Sequence, residues 1–95
     1  MIERHITFNV HEDKTGDFER FFIDRYRPAM ATSPGFVAAE LLREMERPTR
    51  YQMVLRFEDA DAAAGWRTSE VHQALQPALG VLFDGNDIQA YDVIA

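Results

Sequence analysis

The chain contains no cysteine and no long hydrophobic run, and both absences narrow what it can be. Without cysteine it can form neither disulfides nor thiolate metal sites, and it has no thiolate nucleophile. No stretch approaches the roughly 20 apolar residues that a membrane span needs, and residues 1–5 lack the basic start of a secretory signal. We therefore expect a soluble protein of the reducing cytoplasm.

Positive charge is also scarce. Ten lysines and arginines stand against sixteen aspartates and glutamates, which gives a formal net charge of -6. Such a chain repels phosphate backbones and anionic lipid, so we expect neither nucleic acid nor a membrane as a partner. Its 95 residues fit a single domain, 1–95, and a domain this small buries only about 60 to 68% of its unfolded surface. Association with a second copy is one way to add stability.

The signatures of several chemistries are missing as well. There is no glycine-rich phosphate loop, no His-x-x-x-His pair and no nucleophile elbow, so phosphoryl transfer, zinc hydrolysis and esterase activity lack their usual signals. The three histidines, His5, His11 and His72, show no spacing typical of metal ligands. We expect no metal site.

Hydrophobic periodicity predicts six elements in the order strand, helix, strand, strand, helix, strand. Alternation predicts strands over residues 2–10, 36–45, 51–57 and 88–94; helical spacing covers 18–26 and, in two parts, 60–67 and 70–79. This is the split βαβ order of ferredoxin-like domains. We therefore predict an α+β fold, βαββαβ, with a four-stranded antiparallel sheet.

Local signals set the predicted boundaries. Asp13 or Thr15 can cap the first helix, and Pro28 ends or kinks it. Asp59 is a good N-cap for the next helix, and Asp84-Gly85-Asn86 is typical of a turn.

The stretch Gly65-Trp66-Arg67-Thr68-Ser69-Glu70-Val71-His72 contains the only tryptophan of the chain. On one continuous helix, Trp66, Ser69 and His72 would lie on one broad face and border one cavity. Alternatively, Ser69 caps a second helix by accepting from the N–H of Val71 or His72, which places a bend after the tryptophan. Packing in the core is the competing role for Trp66.

Two helices can cover only one face of a four-stranded sheet. The second and third strands nevertheless place apolar residues on both faces, among them Phe36, Val37, Ala38, Leu41 and Leu42. A second copy that packs its sheet on the first would bury the open face. We therefore expect a homodimer in which two sheets close into a barrel.

Several features together resemble the antibiotic biosynthesis monooxygenase family of dimeric α/β barrels. They are the polar turn and aromatic helix, Ser33-Pro34-Gly35-Phe36, the strand hairpin and Trp66-x-x-Ser69-x-x-His72. The likeness covers nearly the whole chain and rests on order and spacing. It implies a homodimer with one small-molecule cavity per subunit between sheet and helices. The resemblance also implies an activity: some family members oxidise polycyclic phenols or quinols with O₂ and need neither metal nor flavin, whereas others degrade haem.

The resemblance also implies site residues. Trp66 corresponds to the helix tryptophan that walls the pocket, and Asn9, or else His5, to a first-strand asparagine. His72 matches a recurrent Ser-x-x-His and would be the base, since the reference pKa of histidine is about 6.5. Haem-degrading members carry a histidine further along this helix, where this chain has Gln76 and Pro77, so haem degradation is not expected.

Two hypotheses follow. In the first, the protein is a cofactor-independent monooxygenase acting on a small phenolic or quinol metabolite. His72, Asn9 and Trp66 are then catalytic, and Tyr51, Phe22, His5 and Ser69 contact the substrate. In the second, it is a non-catalytic dimer that binds an apolar or aromatic small molecule in the same pocket.

Overall fold

A computed structural model describes all 95 residues. The strands are β1 (Ile2–Val10), β2 (Phe36–Arg43), β3 (Arg50–Phe57) and β4 (Phe83–Asp92). The helices are α1 (Thr15–Phe21), α2 (Arg27–Met30), α3 (Ala60–Arg67) and α4 (Glu70–Gly80), with a 3₁₀ turn at Glu12–Lys14 and a π-helical turn at Phe22–Tyr26. None of the helices is long and apolar enough to cross a membrane.

The four strands form one antiparallel sheet in the order β2-β3-β1-β4. This confirms the predicted ferredoxin-like α+β fold. Alternate residues of the two central strands face the helices, so that Ile6 is paired with Met53 and Phe8 with Tyr51, and all four are buried. The core lies between this face and the helices.

The first helical segment differs from its prediction. No side chain caps it, because the 3₁₀ turn begins the segment with a backbone bond from Lys14 N–H to the His11 carbonyl. Nor does the helix end at Arg27. The N–H of Arg27 donates to the carbonyl of Phe22, five residues back, so a wider turn immediately precedes Pro28, which has no N–H to donate.

The last strand is longer than predicted, and the turn expected at residues 84–86 is wrong. Gly85 pairs with Asn9 and Asn86 with Phe8 inside β4, with an irregularity in the register between Asn9 and Val10. β4 is an edge strand whose side chains are mostly exposed. Polar residues with turn propensity are tolerated there because few of them need to be buried.

The face of the sheet turned away from the helices is more polar than the sequence suggested. Phe36 and Leu41 belong to the helix-facing side and pack against the core. Apolar Leu42, Val54 and Tyr91 share the outer face with polar neighbours, among them Glu3, His5, Glu40 and Arg56. The homodimer stays a prediction.

Candidate functional site

A small cavity of about 110 Å³ lies between the sheet and the helices. It is bordered by β1, β4, α4, the π-helical turn and the end of α3. The lining side chains are Arg4, Ile6, Phe8, Tyr26, Arg67, His72, Gln76, Leu79, Phe83, Asn86 and Ile88. None of them is a carboxylate, although the chain as a whole is acidic.

Trp66 packs against two of the residues that line this cavity. Its side chain is 1% exposed and makes edge-on contacts with the rings of Tyr26 and His72, whose centroids lie 5.6 and 5.1 Å away. The indole N–H lies near the Tyr26 hydroxyl, but without the geometry of a hydrogen bond. Trp66 therefore supports two cavity residues from the core and does not itself line this cavity.

The bend after Trp66 is present, as one of the two sequence interpretations predicted. α3 ends at Arg67, and the Ser69 hydroxyl caps α4 by accepting from the N–H of His72 at 3.1 Å. The same hydroxyl donates to the carbonyl of Trp66 at 2.8 Å. One side chain thus links the residue that supports the cavity to the histidine that lines it. The Asp59 cap of α3 is likewise confirmed, with Ala62 N–H donating at 2.8 Å.

His72 presents an imidazole that is largely neutral at pH 7. Burial lowers its pKa, and the positive charges of Arg4 and Arg67 lower it further. Its Nδ1 atom is buried without a hydrogen-bond partner, and its Nε2 atom lies 3.1 Å from the amide nitrogen of Gln76. A neutral imidazole has one unprotonated nitrogen that can accept a proton, which is the first requirement of a general base.

Arg4 and Tyr26 line the cavity, and the sequence reasoning did not select them. Tyr26 is 2% exposed, and burial raises the pKa of its phenol, so it remains a neutral hydrogen-bond donor. Arg4 is 8% exposed and is the only charged residue among the buried ones. The sequence could have indicated this position for Arg4, because residues 4, 6 and 8 alternate onto the same face of β1, and Ile6 and Phe8 face the helices.

Two predicted residues lie away from the cavity, on the opposite face of the sheet. Asn9 is exposed at the end of β1, paired with Arg50 and Gly85. His5 also faces outward, where its Nε2 atom lies 2.6 Å from the Glu3 carboxylate. The pleat of β1 turns odd-numbered side chains away from the helices, so neither can contact a molecule in this cavity.

The predicted wall residues Tyr51 and Phe22 border a different cavity, of about 330 Å³, together with Glu19 and Arg43. The hydroxyl of Tyr51 donates to Glu19, which also pairs with Arg43 at 3.2 Å. Ser69 faces a third space, an open groove of about 550 Å³ bordered by Trp66 and the turn at Pro34 and Gly35. The structure therefore brings together Trp66, Ser69 and His72, but not the remaining four.

No group of three or more histidine, aspartate or glutamate side chains is placed to hold a metal ion.

The sequence profile of one family, antibiotic biosynthesis monooxygenase, matches residues 1–78. The chain belongs to this family. Among functionally curated proteins, none is detectably similar in sequence.

Several solved structures have the same fold as this chain. SnoaB, a cofactor-independent oxygenase from Streptomyces nogalater, is 24% identical with a TM-score of 0.89, covering 99% of this chain and 93% of its own. A candidate antibiotic biosynthesis monooxygenase from Caulobacter crescentus CB15 is 23% identical with a TM-score of 0.88, covering 99% and 90%. A conserved protein from Methanosarcina mazei Go1 is 18% identical with a TM-score of 0.84, covering 95% and 89%.

Proposed function

We propose that the protein is a cofactor-independent monooxygenase that oxidises a small phenolic or quinol compound with O₂ in the cavity between sheet and helices. The observation that carries the proposal is the convergence of a neutral histidine, a buried arginine and a tyrosine hydroxyl on one carboxylate-free cavity. Membership of the monooxygenase family supports the reaction class.

The reaction balances without an external reductant. Conversion of a phenol to a quinone consumes one O₂, places one oxygen atom on the ring and releases the other as water. The substrate supplies all four electrons. Proton removal from the phenol comes first, because the resulting anion passes an electron to O₂ far more readily. The two radicals then combine to form a peroxide on the substrate, which loses water.

Three side chains have the chemistry for the first step. His72 takes the phenolic proton, since its lowered pKa keeps the ring unprotonated at neutral pH. Arg4 and Tyr26 stabilise the oxyanion as donors in a water-poor site. They replace Asn9 in the role of donor, because Asn9 lies on the other face of the sheet. Trp66 holds the rings of Tyr26 and His72 in position.

Cavity size limits the substrate. A cavity of about 150 Å³ in another protein binds benzene, so about 110 Å³ leaves room for one ring after small side-chain movements. Typical ligand pockets are larger, about 300 to 1,000 Å³. A polycyclic substrate would need α4 to move away from β4, and we therefore propose a single-ring compound.

One contact favours the second hypothesis, a protein that binds without catalysis. If the Gln76 amide donates to Nε2 of His72, and the proton sits on Nδ1, the ring offers no free lone pair to a substrate. The cavity would then hold a ligand without deprotonating it. Replacing Gln76 by Leu frees Nε2 and would raise turnover if this contact blocks the base.

The proposal is tested by O₂ consumption with single-ring phenols and hydroquinones, followed with an oxygen electrode and by absorbance of the quinone product. We expect His72→Gln to retain the fold and to lower kcat/KM by about 10² to 10⁴. Because the pKa of His72 is lowered, kcat/KM should fall only below about pH 6.5, as the base becomes protonated.

His11→Gln is the matched control, since His11 lies near Asp84 and outside the cavity. Full activity in His72→Gln would refute the base assignment. Tight binding of phenols without O₂ consumption in the parent protein would instead favour the binding function.

A further inference from the structure

Arg4 carries a positive charge that no other side chain neutralises. It lies 8% exposed on the helix-facing side of β1, and it makes neither a salt bridge nor a side-chain hydrogen bond. Arg56 shows the contrast: it lies on the adjacent strand β3, on the opposite face of the sheet, and pairs with Glu3. The guanidinium nitrogens keep some contact with solvent, but a charge held largely out of water is still costly unless it is paired.

The groups around Arg4 do not compensate its charge. His72 is neutral at pH 7, and burial keeps Tyr26 protonated because it raises the pKa of the phenol. Arg67, which also lines the cavity, adds positive charge and lowers the pKa of Arg4 beyond the effect of burial. Arginine nevertheless stays protonated in proteins. The cavity therefore has a positive potential in a chain whose net charge is -6.

A second copy of the chain would not supply the missing partner in the expected barrel. Two sheets would meet through the face that bears Glu3, His5 and Arg56, whereas Arg4 points to the helices. The carboxylates of this chain are equally remote, since none lines the cavity.

We infer that the compound bound in this cavity is an anion, and that Arg4 binds the oxygen that carries its negative charge. Carboxylates and phenolates both have this chemistry, and the planar guanidinium offers several donors to either. The inference rests on the proposed function only in assigning the same cavity to the ligand. Arg4 is then the residue that selects ligands by charge.

The experiment compares a charged ring with a neutral ring of the same shape. Benzoate and benzamide are titrated into the 95-residue protein by calorimetry, with the ring resonances of His72 recorded by NMR to locate binding. We expect benzoate to bind about tenfold or more tightly than benzamide, because hydrogen bonds to charged groups are the stronger ones. Arg4→Met should reduce this ratio to about twofold or less, whereas Arg4→Lys should retain part of it.

Arg20→Gln is the control, since Arg20 is exposed, paired with Asp17 and outside the cavity. Its benzoate-to-benzamide ratio should equal that of the parent. Melting temperature gives a readout that needs no ligand: Arg4→Met should melt no lower than the parent, because it removes an unpaired charge that is held largely out of water. Benzoate should then raise the melting temperature of the parent and not that of the variant.

A further probe, 4-nitrophenol, distinguishes the two kinds of anion. An absorbance shift to the phenolate form on binding identifies a phenolate site; preference for benzoate without that shift identifies a carboxylate site. Either result supports the inference. Equal binding of benzoate and benzamide, without enrichment of phenolate, would overturn it. Absence of O₂ consumption, with the charge preference intact, would refute the proposed monooxygenase and leave the anion site standing.

Discussion

Substitution of Ser69 tests how much its hydrogen bonds contribute to stability and to the position of His72 in the cavity. It accepts from His72 N–H at 3.1 Å and donates to the Trp66 carbonyl at 2.8 Å. Ser69→Ala removes both bonds and almost no volume. Loss of an N-cap costs about 0.5 to 2 kcal/mol, and we expect the upper half of that range because a second bond is also lost. In a domain of this size, each kcal/mol lowers Tm by about 4 to 8 °C.

Two further substitutions separate the contributions of the two bonds. Ser69→Asp keeps an acceptor for the N–H of His72 but cannot donate to Trp66, so it should recover only part of the loss. Ser69→Thr retains both bonds and should be close to the parent. Urea denaturation measures the free energies of unfolding, and the His72 ring resonances report whether the cavity has changed.

Asp59→Ala is the matched control, since Asp59 caps α3 in the same way and does not contact His72. It should cost less free energy than Ser69→Ala, since only one bond is lost, and leave the His72 resonances in place. A change in stability of less than about 0.3 kcal/mol in Ser69→Ala, below the usual range for loss of a cap, would refute this role of Ser69. So would a displacement of the His72 resonances in Asp59→Ala as large as that in Ser69→Ala.

Three other predictions can be checked with the same preparations. Trp66→Ala should destabilise the protein by about 3 to 5 kcal/mol in urea, and Trp66→Phe by less than half as much, because the ring that supports His72 and Tyr26 is largely retained. The His72 imidazole should titrate by NMR below pH 6.5, its pKa should rise in Arg4→Met, and stability should fall as pH drops below about 6.5, where only the unfolded state gains the proton. Light scattering should report the mass of two chains, and Tm should rise with protein concentration; a monomer at micromolar concentration would refute the closed barrel.

The elements that could be predicted are those determined by residues close to one another in the sequence. Alternation defines β1 from Ile2 to Val10, and short side chains placed to cap a following helix mark the starts of α3 and α4 at Asp59 and Ser69. The beginning of β4 could not be predicted, because Gly85 and Asn86 form a strand only through pairing with β1, 76 or more residues earlier.

The candidate site was only partly predictable for the same physical reason. Trp66 and His72 are close in sequence, and helix geometry alone relates them. Arg4 and Tyr26 join them through tertiary packing, and the direction of the Tyr26 ring depends on the π-helical turn that precedes Pro28. Asn9 was misplaced because its chemistry was weighed above the parity of its position on β1.

Packing and function are not alternative roles for Trp66 in this structure. The indole borders the open groove and packs in T-shaped contacts with Tyr26 and His72, which line the cavity. A core residue in this position fixes the two polar side chains that a reaction would use, at the cost of an unpaired indole N–H. That cost, about 1 to 3 kcal/mol for a buried donor, would be relieved by Phe, which has no N–H. Trp66→Phe should therefore lose more in ligand affinity or turnover than its loss of stability explains, and equal losses would show that Trp66 serves the fold alone.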